Sequence, residues 1–212
     1  MLRYDSLPVT AFAQNCSLLW CDETLEGVLI DVGGDLDRVT ALVERHGVTV
    51  KALWLTHGHI DHAGGTGELS QRWQLPVIGP HADDQFLIDA LPQQAQAYGF
   101  APAQPFTPDR WLQAGDSLRV GAHEVHVLHT PGHTPGHVVF HCPDIRRVFV
   151  GDVLFVGSIG RTDFPRGNHD DLIRSIITQL WPLGEDTGFI CGHGPEGTLG
   201  QERRSNPFVG GT

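Results

Sequence analysis

The chain has 212 residues, enough for one domain with a substantial core. It carries 25 acidic side chains against 14 Lys and Arg, a net charge of −11 that gives no electrostatic footprint for nucleic acid. At 40% hydrophobic and 18% charged the composition is that of a folded protein, with no apolar run near the ~20 residues of a membrane span and no basic, apolar leader.

Along the chain, Ser17–Cys21 and Gly27–Asp31 read as short strands around an acidic turn. Asp35 is placed to cap a helix whose apolar positions are Leu36, Val39, Leu42 and Val43, ending at His46–Gly47. Val50–Leu55 is a strand that runs straight into a His-rich loop. Thr66–Trp73 reads as a helix, Pro76–Gly79 as a strand and Asp83–Leu91 as a helix. The stretch 92–109 holds four prolines and reads as a long irregular loop, either functional or a plain crossover. Four strands follow, at Ser117–Val120, His123–His129, His137–His141 and Arg147–Val150. Asn168–Leu180 shows an amphipathic helical face, Thr187–Cys191 is a last strand, and the end is polar and Gly-rich. Strand runs mixed with amphipathic helices point to layered α and β structure. Cys16, Cys21, Cys142 and Cys191 form no close pairs and read as reduced thiols, which fits a cytoplasmic protein.

The chemistry concentrates in Thr56-His57-Gly58-His59-Ile60-Asp61-His62. Three His and one Asp fall within six residues, directly after a strand. A strand end is a rigid platform, and imidazole and carboxylate are the donors that zinc and iron accept. Random order of this composition would yield the pattern only about 0.004 times per chain. Three further segments each follow a strand: Pro131-Gly132-His133-Thr134-Pro135-Gly136-His137, Gly151-Asp152, and Gly192-His193-Gly194-Pro195. Together they define one candidate site.

This set of residues resembles the metallo-β-lactamase superfamily over nearly the whole chain. The resemblance implies an α+β fold, a four-layer αββα sandwich, as a single domain over 1–212. It implies two divalent ions, zinc and/or iron with manganese possible. One would be held by His57, His59 and His133, the second by Asp61, His62 and His193, with Asp152 bridging. Asp61 and Asp152 would orient the shared hydroxide for catalysis.

Within the superfamily the chain is most similar to short glyoxalase II-like proteins, the hydroxyacylglutathione hydrolases. The segments Pro131–His137, Gly151–Phe155, Gly160–Gly167 and Gly192–Pro195 carry that likeness. It implies hydrolysis of a small-molecule thioester such as S-lactoylglutathione. The helical glutathione-binding domain of the longer enzymes has no counterpart after His193. The Lys and Tyr by which those enzymes touch substrate are replaced by Arg161 and Asp163, so Arg161 and Arg166 become the candidate anion-binding residues. The segment Gly160-Arg161-Thr162-Asp163-Phe164 also resembles persulfide dioxygenases, which use one iron on residues matching His57, His133 and Asp152. Zinc β-lactamases lack a bridging Asp like Asp152, which argues against antibiotic hydrolysis. His137 either orients a ligand or is an ordinary strand residue.

Overall fold

The computed structural model describes residues 1–211. A first sheet is built from β1 (Leu2–Val9), β2 (Gln14–Cys21), β3 (Glu26–Ile30), β4 (Thr49–Trp54) and β5 (Val77–Ile78), in that order. The first three strands are antiparallel neighbours, and β3, β4 and β5 run parallel. A second sheet contains β6 (Ser117–Val120), β7 (His123–His129), β8 (Val138–Cys142) and β9 (Arg147–Gly151). A small hairpin of β10 (Leu154–Phe155) and β11 (Ser158–Ile159) follows. The second sheet is completed by β12 (Gly188–Cys191) and β13 (Gly197–Thr198), in the order β13-β12-β9-β8-β7-β6.

The period-two alternation of strand side chains sorts the core into layers. Leu19 of β2 and Val138 and Phe140 of β8 face the space between the sheets, where Trp54 meets Phe140 at a ring separation of 5.1 Å. Their neighbours Leu18 and Val139 face outward onto helices. On the first sheet these are α1 (Leu36–His46), which contributes Val39, Leu42 and Val43, and α3 (Thr66–Trp73), which contributes Leu69; α2 (Ile60–Ala63) lies between them in sequence. Helices α4 (Gln85–Asp89) and α5 (Leu91–Tyr98) pack Ile88, Leu91 and Ala95 on Leu55 and Ile60. On the second sheet α6 (His169–Ser175) covers Val139, Val148 and Val150 with Leu172, and α7 (Leu199–Ser205) closes the C-terminal side. The result is the expected helix–sheet–sheet–helix sandwich. Among the described residues, no helix is long and apolar enough to cross a membrane.

Several features differ from the sequence reading, which gave no signal for the β10–β11 hairpin, for β13 or for α7 in the polar C-terminal stretch. Leu2–Val9 is a full edge strand paired along β2, although its mixed pattern gave no strand signal. The stretch 92–109 is not irregular throughout, because Pro92 sits in the first turn of α5, where its fixed φ suits a helix and its missing N–H is no loss. Beyond it, Phe100, Phe106 and Trp111 pack on the α4–α5 core. Asp35 occupies the position before α1 but adopts a left-handed conformation and makes no cap bond. Its carboxylate accepts instead from Thr10 N at 2.9 Å and Arg38 at 3.1 Å. The predicted Asn168–Leu180 helix is capped by Asn168, whose side chain accepts from Asp171 N at 3.1 Å, but its second half widens into a π turn at Ile176–Leu180.

Candidate metal centre

The loops after β4, β7, β9 and β12 leave the two sheets along one edge, and all seven sequence-predicted donors meet there. The donor atoms of His57, His59 and His133 lie within 4.8 Å of one another, as do those of Asp61, His62 and His193. Asp152 stands between the two triads. Its Oδ1 is 3.3 Å from His62 Nε2, and its Oδ2 is 3.6 Å from both His133 Nε2 and His193 Nε2. Asp61 Oδ2 lies 3.1 Å from His193 Nε2.

The close approach of these loops demands glycine at two points. Gly151 turns the chain out of β9 with φ +48°, and a Cβ there would stand 2.6 Å from Thr56 Oγ1 and 2.7 Å from His137 Nε2. At Gly192 a Cβ would collide with Asp152 Oδ1.

Hydrogen bonds decide which ring nitrogen of each His is left over. His133 Nδ1 lies 2.7 Å from Arg161 O and His193 Nδ1 lies 3.1 Å from Phe12 O. Each Nδ1–H therefore donates to a carbonyl, which turns Nε2 toward the cluster; for His193 burial opposes charge, but the contact of Nε2 with Asp61 and the nearby Asp152 outweigh it and raise its pKa. Thr56 Oγ1 donates to Asp31 at 2.6 Å, so it accepts from His57 Nδ1 at 3.0 Å. His62 Nδ1 lies 2.8 Å from Asp31 Oδ2. The Nε2 atoms of His57, His59 and His62 and Oδ1 of Asp152 are buried with no hydrogen-bond partner. Unpaired buried polar atoms are costly, and Nε2 of His57, Nε2 of His62 and Oδ1 of Asp152, together with His59 Nδ1 at 3.0 Å from His133 Nε2, make a donor set that fits divalent cations.

The electrostatics divide the two triads. Burial first, then the mutual repulsion of the imidazoles, holds His57 well below its ordinary pKa and His59 down to about 3. Burial also lowers His133. These three rings are neutral at pH 7 and ready to donate a lone pair. For His62 burial opposes the charge, but Asp152, Asp61 and Asp31 together outweigh it and raise its pKa well above the ordinary value. Burial likewise opposes charge on Asp152, and the surrounding histidines, His62 foremost, pull its pKa far below the carboxylate range.

Several supporting residues carry no motif. Asp31 accepts from Thr56 N, Thr56 Oγ1 and His62 at 2.6–2.8 Å, so one buried carboxylate steadies a donor in each triad. A charged residue closing an apolar strand was its only signal in the sequence. Asp84 is fully buried and accepts from Gly58 N at 3.0 Å, Thr134 Oγ1 at 2.8 Å and Gly136 N at 2.6 Å. It clamps the two loops that supply the first triad. Burial, opposed by these bonds, pushes its pKa up to about 6. Asn15 reaches Cys191 O and Gly194 O at 2.9 and 3.0 Å and holds the His193 loop. The Cys191 thiol donates to His193 O at 2.9 Å. His137 resolves toward a supporting role: its Nε2 accepts from Asp152 N at 3.1 Å, and its ring stacks on His57 at 4.7 Å.

Asp61, Asp152, His59, His133 and His193 open onto a cleft of about 930 Å³. Its walls include Phe12, Phe86, Tyr98, Phe155 and Phe164. Arg161 lines it too, but its Nε and Nη2 bond both oxygens of Asp163 at 2.7 and 2.6 Å. Arg166 lies outside this lining and donates to Asp83 O at 3.0 Å. Both candidate anion-binding arginines are thus paired within the chain.

The metallo-β-lactamase superfamily model matches residues 9–193. Hydroxyacylglutathione hydrolase GloC of Haemophilus influenzae is 46% identical over 98% of each chain. Among solved structures, BLEG-1 B3 metallo-β-lactamase aligns with a TM-score of 0.90 and 35% identity, covering 99% of this chain and 100% of that one. TTHA1623 in a di-iron-bound form aligns at 0.87 and 38%, covering 97% and 100%. ETHE1 from Myxococcus xanthus aligns at 0.79 and 30%, covering 99% and 85%. The donor set, the layered fold and these likenesses agree, and the chain belongs to the metallo-β-lactamase superfamily.

Proposed function

We propose that this chain is a metal-dependent thioester hydrolase of the glyoxalase II type, acting on a glutathione-linked acyl group such as S-lactoylglutathione. The observation that carries the reading is the pair of complete donor triads on either side of Asp152, with the buried Nε2 atoms of His57 and His62 unpartnered. His57, His59 and His133 would hold one ion and Asp61, His62 and His193 the other, with Asp152 touching both. The donor chemistry suits zinc, iron and manganese alike. The name of the Haemophilus influenzae relative supports the substrate class.

Two divalent ions held by these residues would lower the pKa of a bound water to about 7 and polarise the thioester carbonyl. Asp61 and Asp152 hold the attacking water by accepting its O–H groups, which orients its lone pair toward the carbonyl carbon. A C–O bond forms, the C–S bond breaks, and the proton released by water ends on the departing thiolate or in solvent. A thiolate with a solution pKa of about 8.5 leaves without a dedicated general acid. The apolar cleft walls keep bulk water away and strengthen each charge interaction within.

A second reading, an iron-dependent persulfide dioxygenase, is favoured by the segment Gly160-Arg161-Thr162-Asp163-Phe164 and by the ETHE1 neighbour. It leaves the assembled triad Asp61, His62 and His193 without a task. Purified protein assayed for S-lactoylglutathione hydrolysis and, in an oxygen electrode, with glutathione persulfide separates the two. Thioester cleavage with no oxygen uptake is expected. Oxygen uptake with no cleavage would overturn the hydrolase reading. A chromogenic cephalosporin in the same series tests the activity named for the BLEG-1 neighbour.

A further inference from the structure

We propose that the cleft selects thioesters with a bulky apolar acyl group, aromatic or branched, over the small polar lactoyl ester. The inference rests on the thioesterase reading and names the acyl class for that same site. Three observations carry it.

The first is the wall. Five aromatic side chains from separate stretches of the chain, Phe12, Phe86, Tyr98, Phe155 and Phe164, face one space of about 930 Å³. That is near the upper end for a small-molecule site, with room for a large acyl group beside the part of the thiol that must enter with it. Phe12 and Tyr98, with ring centroids 6.0 Å apart, remain 43% and 49% exposed, so this wall presents apolar surface to whatever enters the cleft.

The second is position. The Phe164 ring packs against His59 at 4.8 Å and His133 at 6.0 Å, and Phe155 lies 6.2 Å from His193. An acyl group delivered to the triads therefore meets aromatic rings on both sides of the reacting centre.

The third is the state of the polar side chains. A 2-hydroxyacyl group needs a hydrogen-bond partner to be preferred. Outside the two triads and Asp152, Gln94 already donates to Leu87 O at 2.8 Å and accepts from Ile60 N at 3.0 Å. Arg161 is held bidentately by Asp163 and lies over the Phe164 ring at 4.3 Å. What remains among the polar side chains of the lining is the Tyr98 hydroxyl, the Ser158 hydroxyl with only a long bond to Ile159 O at 3.5 Å, and Nη1 of Arg161. The cleft offers apolar area in quantity and few uncommitted polar groups.

The test compares S-mandeloylglutathione with S-lactoylglutathione. The thiol and the 2-hydroxyl are the same, and a phenyl replaces the methyl. Each rate is divided by the alkaline hydrolysis rate of the same ester. A single methylene in a hydrophobic pocket gains roughly 10–200-fold at best, so the phenyl ester is expected to win by at least about tenfold in kcat/KM. In Phe86→Ala and Phe155→Ala that ratio should fall severalfold; the ratio is insensitive to a loss of folded protein. Equal or greater efficiency with the lactoyl ester would overturn the inference and leave the thioesterase reading standing. A ratio unchanged in both variants would overturn it as well. No cleavage of either ester would overturn the thioesterase reading and the inference together.

Discussion

His62 Nδ1 lies 2.8 Å from Asp31 Oδ2, with both side chains buried beneath the donor cluster. The same Asp31 carboxylate accepts from Thr56, which in turn holds His57. One buried carboxylate that the sequence motifs did not single out thus orients a ring in each triad, with an oxygen within 4.8 Å of donor atoms of both His57 and His62. Partners of this kind are worth 10–100-fold in metal affinity. Asp31→Ala is expected to weaken binding at both positions by about that factor, read by chelator competition. Weakening confined to one position would mean that the Thr56 link to His57 does not orient that ring.

The two triads should load with different pH dependence. His57, His59 and His133 have lowered pKa values and hold no proton to release at neutral pH. His62 and His193 both have raised pKa values, so loading their triad expels protons. Affinity at the Asp61–His62–His193 triad is therefore expected to rise with pH through neutrality, by up to about tenfold per unit for each proton expelled, while the other triad stays nearly flat. Calorimetric titration with zinc at three pH values in buffers of different ionisation enthalpy measures both the affinity and the proton released.

Asp84 should act on stability and on the first triad together. Asp84→Ala leaves the buried donors of Gly58, Thr134 and Gly136 without an acceptor, a loss of about 3 kcal/mol or more. For a chain of this size that lowers Tm by roughly 10 °C. The folded pKa of about 6 lies above the ordinary 3.8, so the native state binds the extra proton. The stability this proton contributes is complete below about pH 4 and is lost as pH rises to about 6. The stability difference between wild type and Asp84→Asn should shrink over that window. A difference that grows instead would show the native carboxylate to be favoured in its ionised form.

Asp152→Ala removes the group common to both triads. Metal content should fall at both positions, and kcat should fall by on the order of 10²-fold or more. His193→Ala touches only one triad. It should lower thioester hydrolysis and leave one ion per chain by elemental analysis. Unchanged hydrolysis and unchanged metal loading would remove the second ion from the reading.

The layers and the donors were legible because both are local properties. Alternation within β2 and β8 and the helical spacing in α1 follow from residues a few positions apart. The donor types at 57–62, and the loops after strands at 133, 152 and 193, are likewise visible in short windows. Leu2–Val9 was not legible, because an edge strand exposed on one side needs little apolar pattern and is held by its partner β2. The helical part of 92–109 was hidden by a proline that a first turn tolerates.

The sequence by itself determined the chemistry on offer: imidazole and carboxylate donors in four segments, each following a strand. Tertiary structure alone decided how that chemistry is presented. Which nitrogen of His193 is free depends on Phe12, 181 positions away, and the spacing of the first triad depends on Asp84 reaching Thr134 across 50. Whether Arg161 is available to an anion depends on a side-chain conformation that gives it to Asp163. The physical reason is common to all three. Hydrogen bonds and burial select one tautomer, one rotamer and one charge state from several that the residue type allows, and the partners that select them are brought near only by folding.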